Sequence, residues 1–194
     1  MARPREFDLD EAMTGAMRLF WSKGYEEASL AELLKAMKIT KGSFYKAFAD
    51  KNSVYLQALD LYDKNAITPT VQRLADPSLG SGCDRIVALF ENVAKAAASN
   101  GDRTGCFLCN ALVDRAVEDP AAEEKLQRMV LRLETAFRGA LAESDPSRDA
   151  DWTQRTARGV LSSYIGLRVL GRAGLSKDMS DDCVNQIRSV ISGK

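Results

Sequence analysis

The chain has 194 residues, with 27 basic and 27 acidic side chains and a formal net charge of +0, so any cationic footprint for a nucleic acid must be local. That length suits one large domain, or a small domain joined to a larger one, with a substantial buried core. Histidine is absent, which excludes Ser-His-Asp and Cys-His catalysis and imidazole metal sites.

The opening stretch, "MARPREFDLDEAM", lacks the apolar run of a signal peptide. No run of about 18 apolar residues occurs anywhere, so a cytoplasmic protein with no membrane partner is expected. Leu9, Met13, Ala16, Met17 and Phe20 recur at three and four, which predicts a helix with one apolar stripe. Asp8 and Glu11 read as its capping pair, and Gly24 as its C′ stop. Ser29 and Glu32 form a capping box for a second helix, Leu30 to Met37. Thr40 caps a third, Lys41 to Phe48, and Asp50 a fourth that runs to about residue 65. Pro, Ser and Gly cluster between Ala75 and Gly82, which marks a loop.

Apolar periodicity resumes with Ile86, Leu89, Phe90 and Val93 and breaks at 99–105, before a helix through 106–118. Asp119 and Pro120 then open a helix carried by Leu126, Met129, Val130, Leu133 and Phe137 to about residue 142. After a loop at 143–151, two helices remain, about Trp152 to Ala173 and Ser180 to Ser192. Nothing alternates at period two for long, so an all-α fold of about nine helices is expected, with no strand.

The second and third helices, joined by "MKIT", form a helix-turn-helix candidate. Ile39, Phe44 and Phe48 can anchor the short third helix, while Lys41 and Tyr45 lie one turn apart on another face. Gly42 lets the backbone approach a groove edge or phosphate. Thr40 and the free N–H groups of the first turn suit an anion. Five lysines (35, 38, 41, 46 and 51) face one acid, Asp50, in this stretch, a basic strip on a neutral chain. Arg3 and Arg5, on the N-terminal arm, can add backbone or minor-groove contacts.

The stretch "FWSKGYEEASLAELLKAMKITKGSFYKAFADKNSVYLQAL" resembles the N-terminal domain of the TetR family of transcriptional repressors. The resemblance rests on Phe20, Gly24, Tyr25, Ser29, Leu33, Ile39, Thr40, Gly42, Phe44, Tyr45, Phe48, Lys51 and Leu59, and covers about the first third of the chain. It implies an all-helical homodimer on a palindromic operator of double-stranded DNA. The third helix would enter the major groove, and a divergent C-terminal domain would bind a small-molecule inducer. By position it makes Thr40, Lys41, Gly42, Ser43, Tyr45, Lys46 and Lys51 DNA contacts and Ser29 a phosphate contact. The implied division is a helix-turn-helix domain over 1–50, a connecting helix over about 51–65, and an effector-binding and dimerisation domain over 66–194. Lys38 stands where the family has its turn glycine. A left-handed lysine costs on the order of 1 kcal/mol; either a phosphate contact offsets this or the turn differs.

The resemblance also implies that the last two helices pair with their copies. Small residues Gly159, Ser162, Ser163 and Gly166 beside Leu161, Ile165 and Val169 permit that, and Val184, Ile187 and Ile191 give the final helix an apolar face. Four cysteines (Cys83, Cys106, Cys109 and Cys183) are too sparse for a disulfide framework. Cys106 and Cys109 share one side of a helix at i and i+3. Three readings stay open for them. They can be apolar fillers. They can be a redox or electrophile switch centred on Cys106 at a helix N-terminus, helped by Arg103. They can bind a metal, if Cys83 and Cys183 converge on them. Phe90, Cys106, Phe107, Cys109, Asn110, Trp152 and Tyr164 are the candidate effector-pocket residues. No cofactor, metal or catalytic residue is expected. The reading is a DNA-binding regulator released by an inducer or by cysteine modification, against two rivals, a small-molecule enzyme and a helical protein adaptor.

Overall fold

Asp8 starts the first helix because its Oδ1 accepts the N–H groups of Asp10 and Glu11 at 2.9 and 3.2 Å, donors that a helix start otherwise leaves unpaired. The computed structural model describes residues 8–98, 104–174 and 176–192. Helix α1 (Leu9–Lys23) turns Ala12, Met13, Ala16, Met17 and Phe20 inward and stops at Gly24, whose φ of 84° suits glycine. Glu11 does not complete a reciprocal cap; it reaches Lys38 at 2.6 Å. Helix α2 (Leu30–Met37) opens on the expected capping box of Ser29 and Glu32. Gly15 lets α1 and α2 meet backbone to backbone: a Cβ there would lie 2.1 Å from the Ala36 carbonyl oxygen.

Helix α3 (Lys41–Ala47) is capped by Thr40 and ends one residue earlier than expected, because Phe48 is extended at φ −131° and ψ 144°. Asp50 and Ser53 cap α4 (Lys51–Tyr62). The expected fourth helix breaks here. Asp63–Ile67 is π-helical, and a further helix, α5 (Thr68–Ala75), follows with Pro69 in its first turn. Pro69 has no N–H for the carbonyl one turn back, so the ladder loosens at that point. Thr70 Oγ1 donates to the Ala66 carbonyl at 2.8 Å.

A 3-10 turn, Pro77–Leu79, leads into α6 (Gly82–Ala98). Helix α7 (Phe107–Asp114) stops four residues before its expected end, where Arg115 leaves helical geometry at φ −135°. Asp119 caps α8 (Pro120–Ser144), and Asp149 caps α9 (Ala150–Ala173), which closes on left-handed Gly174. The last helix is α10 (Lys177–Ser192). The described residues contain these helices and no strand, so the fold is all-α, as the periodicity indicates.

Helix α1 packs on α2 and α4; α8 packs on α9, α6 and α5, and α10 lies on α6. One continuous hydrophobic core runs from Ala12 in α1 to Ile191 in α10. Arg85, 4% exposed, ties several elements together. Its Nε donates to the Leu74 carbonyl at 2.9 Å, its Nη1 to the Gly80 carbonyl at 2.7 Å, and its guanidinium grips Glu143 through both carboxylate oxygens. A charge this buried is tolerated because its hydrogen bonds are satisfied. Among the described residues no helix is long and apolar enough to cross a membrane.

Candidate nucleic-acid interface and thiol cluster

The turn between α2 and α3 is left-handed at Lys38, with φ 55° and ψ 38°. Its N–H donates to the Lys35 carbonyl at 3.2 Å, and that of Ile39 to the Leu34 carbonyl at 3.1 Å, which satisfies the helix end. The lysine thus keeps the turn in the conformation that glycine favours. Its ammonium rests on Glu11, in an exposed pair.

Beyond that turn α3 has two unlike faces. Phe44 is fully buried and Phe48 5% exposed, with ring centroids 5.5 Å apart, whereas Tyr45 is 55% exposed. Lys41, Gly42 and Lys46 lie on the surface with Tyr45. A Cβ added at Gly42 would meet nothing nearer than Thr40 Oγ1 at 3.9 Å, so the chain's own packing does not require glycine there. Thr40 Oγ1 accepts from the Ser43 N–H at 3.1 Å and lies 3.0 Å from the Ser43 hydroxyl. Ser29 commits its hydroxyl and its N–H to Glu32 Oε2, at 2.9 and 3.1 Å. Glu32 also pairs with Lys23; that hydrogen bond, then those from Ser29, bring its carboxyl down to about 2.

The five lysines of the basic strip divide three ways. Lys35, Lys41 and Lys46 are exposed and have no carboxylate partner among the described residues. Lys38 pairs with Glu11. Lys51 is half-buried, with Nζ 4.3 Å from the Tyr25 ring centroid, and burial lowers its pKa. Arg3, Arg5 and Arg103 lie outside the described residues.

A second cluster forms around α7. Cys106 is its N-cap residue, at φ −118° and ψ 123°, and Cys109 stands three residues on; each is 2% exposed. The Tyr62 hydroxyl, from the end of α4, lies 3.2 Å from Cys106 Sγ. Arg168 donates to the Tyr164 hydroxyl through Nε and Nη2, at 3.2 and 3.1 Å. A hydrogen bond from the Cys109 thiol, the Arg168 charge and the Tyr62 hydroxyl hold Cys106 below the ordinary thiol range. The same hydrogen bond and burial push Cys109 up. The two thiols are therefore pushed in opposite directions, with the thiolate favoured at Cys106.

Helix α7 is also tied to α1 and the residues that follow it. Asn110 Nδ2 donates to the Trp21 carbonyl at 3.2 Å, and Asp114 Oδ2 accepts the Tyr25 N–H at 2.8 Å. Arg115 lies 4.1 Å from the Tyr25 ring centroid and pairs with Glu26 at 3.3 Å. An aromatic path connects the same elements: Trp21 meets Tyr62 edge-on at 5.2 Å, and Tyr62 meets Phe107 at 5.6 Å. Sequence reasoning missed Asp114, Arg115 and the role of Tyr25. Each bond joins residues 89 apart in the chain, so no local pattern signals it.

Three of the candidate pocket residues share a cavity. Phe107, Cys109 and Asn110 line an open cavity of about 450 Å³ with Phe20, Tyr55 and Arg172. Phe90 and Tyr164 are core residues whose rings meet at 6.0 Å, and Trp152 is covered by Arg148 at 4.6 Å. A larger open groove of about 650 Å³, unforeseen from the sequence, lies between α5 and α8, lined by Val71, Leu74, Leu131 and Arg132. Among the described residues no group of three or more cysteine or carboxylate side chains could hold a metal. Cys83 lies at the other end of the molecule's last helix pair, against the Ile191 carbonyl at 3.9 Å. Val184, Ile187 and Ile191 are buried in the chain's own core. On α9, by contrast, a Cβ added at Gly159 or Gly166 meets nothing within 4 Å, and Val169 and Leu170 are each 45% exposed.

Residues 12–58 match the family described as bacterial regulatory proteins, tetR family. Over 98% of its length the chain is 26% identical to YezE of Bacillus subtilis (strain 168), an uncharacterized HTH-type transcriptional regulator, covering 100% of that protein. It is 33% identical to the HTH-type transcriptional repressor ComR of Escherichia coli (strain K12) over 56% of this chain and 51% of that one. Among solved structures, a CifR cysteine mutant complexed with 26bp double-strand operator DNA superposes with a TM-score of 0.82. It is 27% identical, and the match covers 96% of this chain and 98% of that one.

Proposed function

Because the chain belongs to the TetR family of bacterial regulatory proteins, we propose that it represses transcription as a homodimer that lays α3 of each copy into the major groove, and that modification of Cys106 releases it. It is a DNA-binding transcriptional regulator, and one observation carries the assignment of its contacts. Helix α3 holds Phe44 and Phe48 in the core while Lys41, Gly42, Tyr45 and Lys46 face outward, and neither lysine has a carboxylate partner among the described residues. Lysines in that position neutralise phosphates, and the exposed tyrosine and bare glycine backbone meet the groove. Thr40 and Ser43 cap the helix in place, and Lys51 touches phosphate from its seat on Tyr25.

The reading part ends near residue 50; α4 connects it to the effector and dimerisation part. A homodimer through α9 and α10 places two copies of α3 about 34–36 Å apart, one turn of a palindromic operator in the cytoplasm. The CifR mutant on operator DNA supports the DNA partner.

For release, the thiol cluster is favoured over a reversible inducer in an apolar pocket. The Tyr62 hydroxyl lies 3.2 Å from Cys106 Sγ, and Tyr62, Cys109 and Arg168 all favour its thiolate. Helix α7 then joins Cys106 to Trp21 and Tyr25, so a change there shifts the spacing of the two α3 helices and lowers operator affinity.

A mobility-shift titration with duplex DNA from the region upstream of its own gene, at two salt concentrations, tests the DNA reading. A band that weakens steeply with salt supports it. Absence of any specific shift refutes it and favours an adaptor or an enzyme. Oxidant added to the preformed complex tests release: wild type dissociates, and Cys106→Ser stays bound. If Cys106→Ser dissociates as wild type does, the thiol reading fails and a pocket ligand takes its place.

A further inference from the structure

We infer that Cys106 and Cys109 form a redox dithiol that closes into an intramolecular disulfide across the first turn of α7, with hydroperoxides as the oxidant class. The inference rests on the release reading above and adds a chemical end point to it. Position comes first. At two helix starts of this chain the N-cap side chain meets the side chain three residues on. Ser29 and Glu32 do so at 2.9 Å, and Thr40 and Ser43 at 3.0 Å. Cys106 and Cys109 occupy the same two positions of α7, and the Tyr62 hydroxyl lies 3.2 Å from Cys106 Sγ. The extended N-cap backbone leaves Cys106 free of helical φ/ψ, so its side chain can swing toward Cys109 without unwinding a turn.

Chemistry then separates the two roles. Cys106 is the nucleophile, since Tyr62, Arg168 and Cys109 all favour its thiolate. Cys109 keeps its proton and lines the open cavity, so it is the resolving group on the solvent side. Both cysteines are 2% exposed, which admits a small peroxide more readily than a bulky electrophile.

The reaction runs in two steps. The Cys106 thiolate attacks the terminal oxygen of a hydroperoxide; the O–O bond breaks, the alkoxide takes a proton from solvent and leaves as an alcohol, and Cys106 becomes a sulfenic acid. The Cys109 sulfur then attacks Cys106 Sγ. Its proton goes to the departing hydroxyl, the S–O bond breaks, and water leaves. Two thiols are oxidised by two electrons, and the peroxide is reduced to alcohol and water.

Closure removes the charge that Tyr62 and Arg168 face at Cys106. It also pulls on the N-cap of a helix only two turns long, whose other end holds Tyr25 through Asp114. The switch thus acts through α4 and α7 together.

Full-length protein is treated with a few equivalents of hydrogen peroxide, quenched with N-ethylmaleimide under denaturing conditions, and mapped by mass spectrometry. In wild type the peptide Thr104–Arg115 carries an internal disulfide, Cys83 and Cys183 are alkylated, and operator affinity falls by about tenfold or more and returns with dithiothreitol. Cys109→Ser halts at a sulfenic acid that dimedone traps on Cys106. The inference is overturned if Cys106 is oxidised and operator is released but Thr104–Arg115 carries no internal disulfide; the release reading then stands alone. A disulfide that forms without loss of operator affinity overturns the switch. Equal release from Cys106→Ser overturns both.

Discussion

Replacing Lys41 and Lys46 together by alanine removes two cations from each α3 and four from the proposed dimer. Both side chains are exposed and neither has a carboxylate partner among the described residues, so folding loses no ion pair seen there. Each neutralised phosphate contributes about 0.9 to the slope of log affinity against log salt, so four lysines account for a slope of about 3.6. Between roughly 50 and 200 mM salt, wild type should therefore lose about 150-fold more affinity than the double variant. Surface changes of this kind stay within about 0.5 kcal/mol, which is about 2 °C in melting temperature for a chain of this size. Fluorescence anisotropy over a salt series, with a thermal melt on the same samples, reads both quantities. An unchanged slope refutes the outward placement of these lysines against DNA. A large drop in melting temperature would mean that they serve the fold.

Phe44→Ala should destabilise by about 3–5 kcal/mol, because the ring is fully buried, whereas Tyr45→Ala should leave the denaturant midpoint nearly unchanged and weaken operator binding; the reverse pattern in paired unfolding and binding assays refutes the facing of α3. Lys38→Gly should raise the melting temperature by one or two degrees, since relief of the left-handed lysine, about 1 kcal/mol, exceeds the loss of an exposed ion pair; a drop on calorimetry would show that the Glu11 pair dominates. The rate of peroxide reaction at Cys106 should hold steady at neutral pH and fall only well below the free-thiol value of about 8.5. The sign follows from the thiolate being favoured in the folded state: its stabilisation is present above the unfolded pKa and is lost as pH falls through the folded one. Stopped-flow rates that are half-maximal at or above the free-thiol value contradict this.

The helix-turn-helix was legible because its signals are local. Capping residues, the Lys38 turn and the spacing of Phe44 and Phe48 all act within one or two turns. Helix α5 was hidden because Pro69 reads as a breaker, whereas in the first turn of a helix its missing N–H is tolerated. The junction at Tyr25 was not legible, because Asp114 and Arg115 reach it only after α7 folds back on α1. Periodicity identified Phe90 as buried but not which neighbours it faces. The same limit applies to α10, whose apolar stripe fits α6 of its own chain as well as it would fit a copy.

The edge-on contact between Trp21 and Tyr62 has a practical consequence. Trp21 is in van der Waals reach of the phenol whose hydroxyl touches Cys106, while Trp152 lies elsewhere, against Arg148. A Trp152→Phe variant therefore leaves a single indole beside the reactive sulfur. Its ultraviolet emission would follow the chemistry at that sulfur in real time, in unlabelled protein and on operator DNA alike.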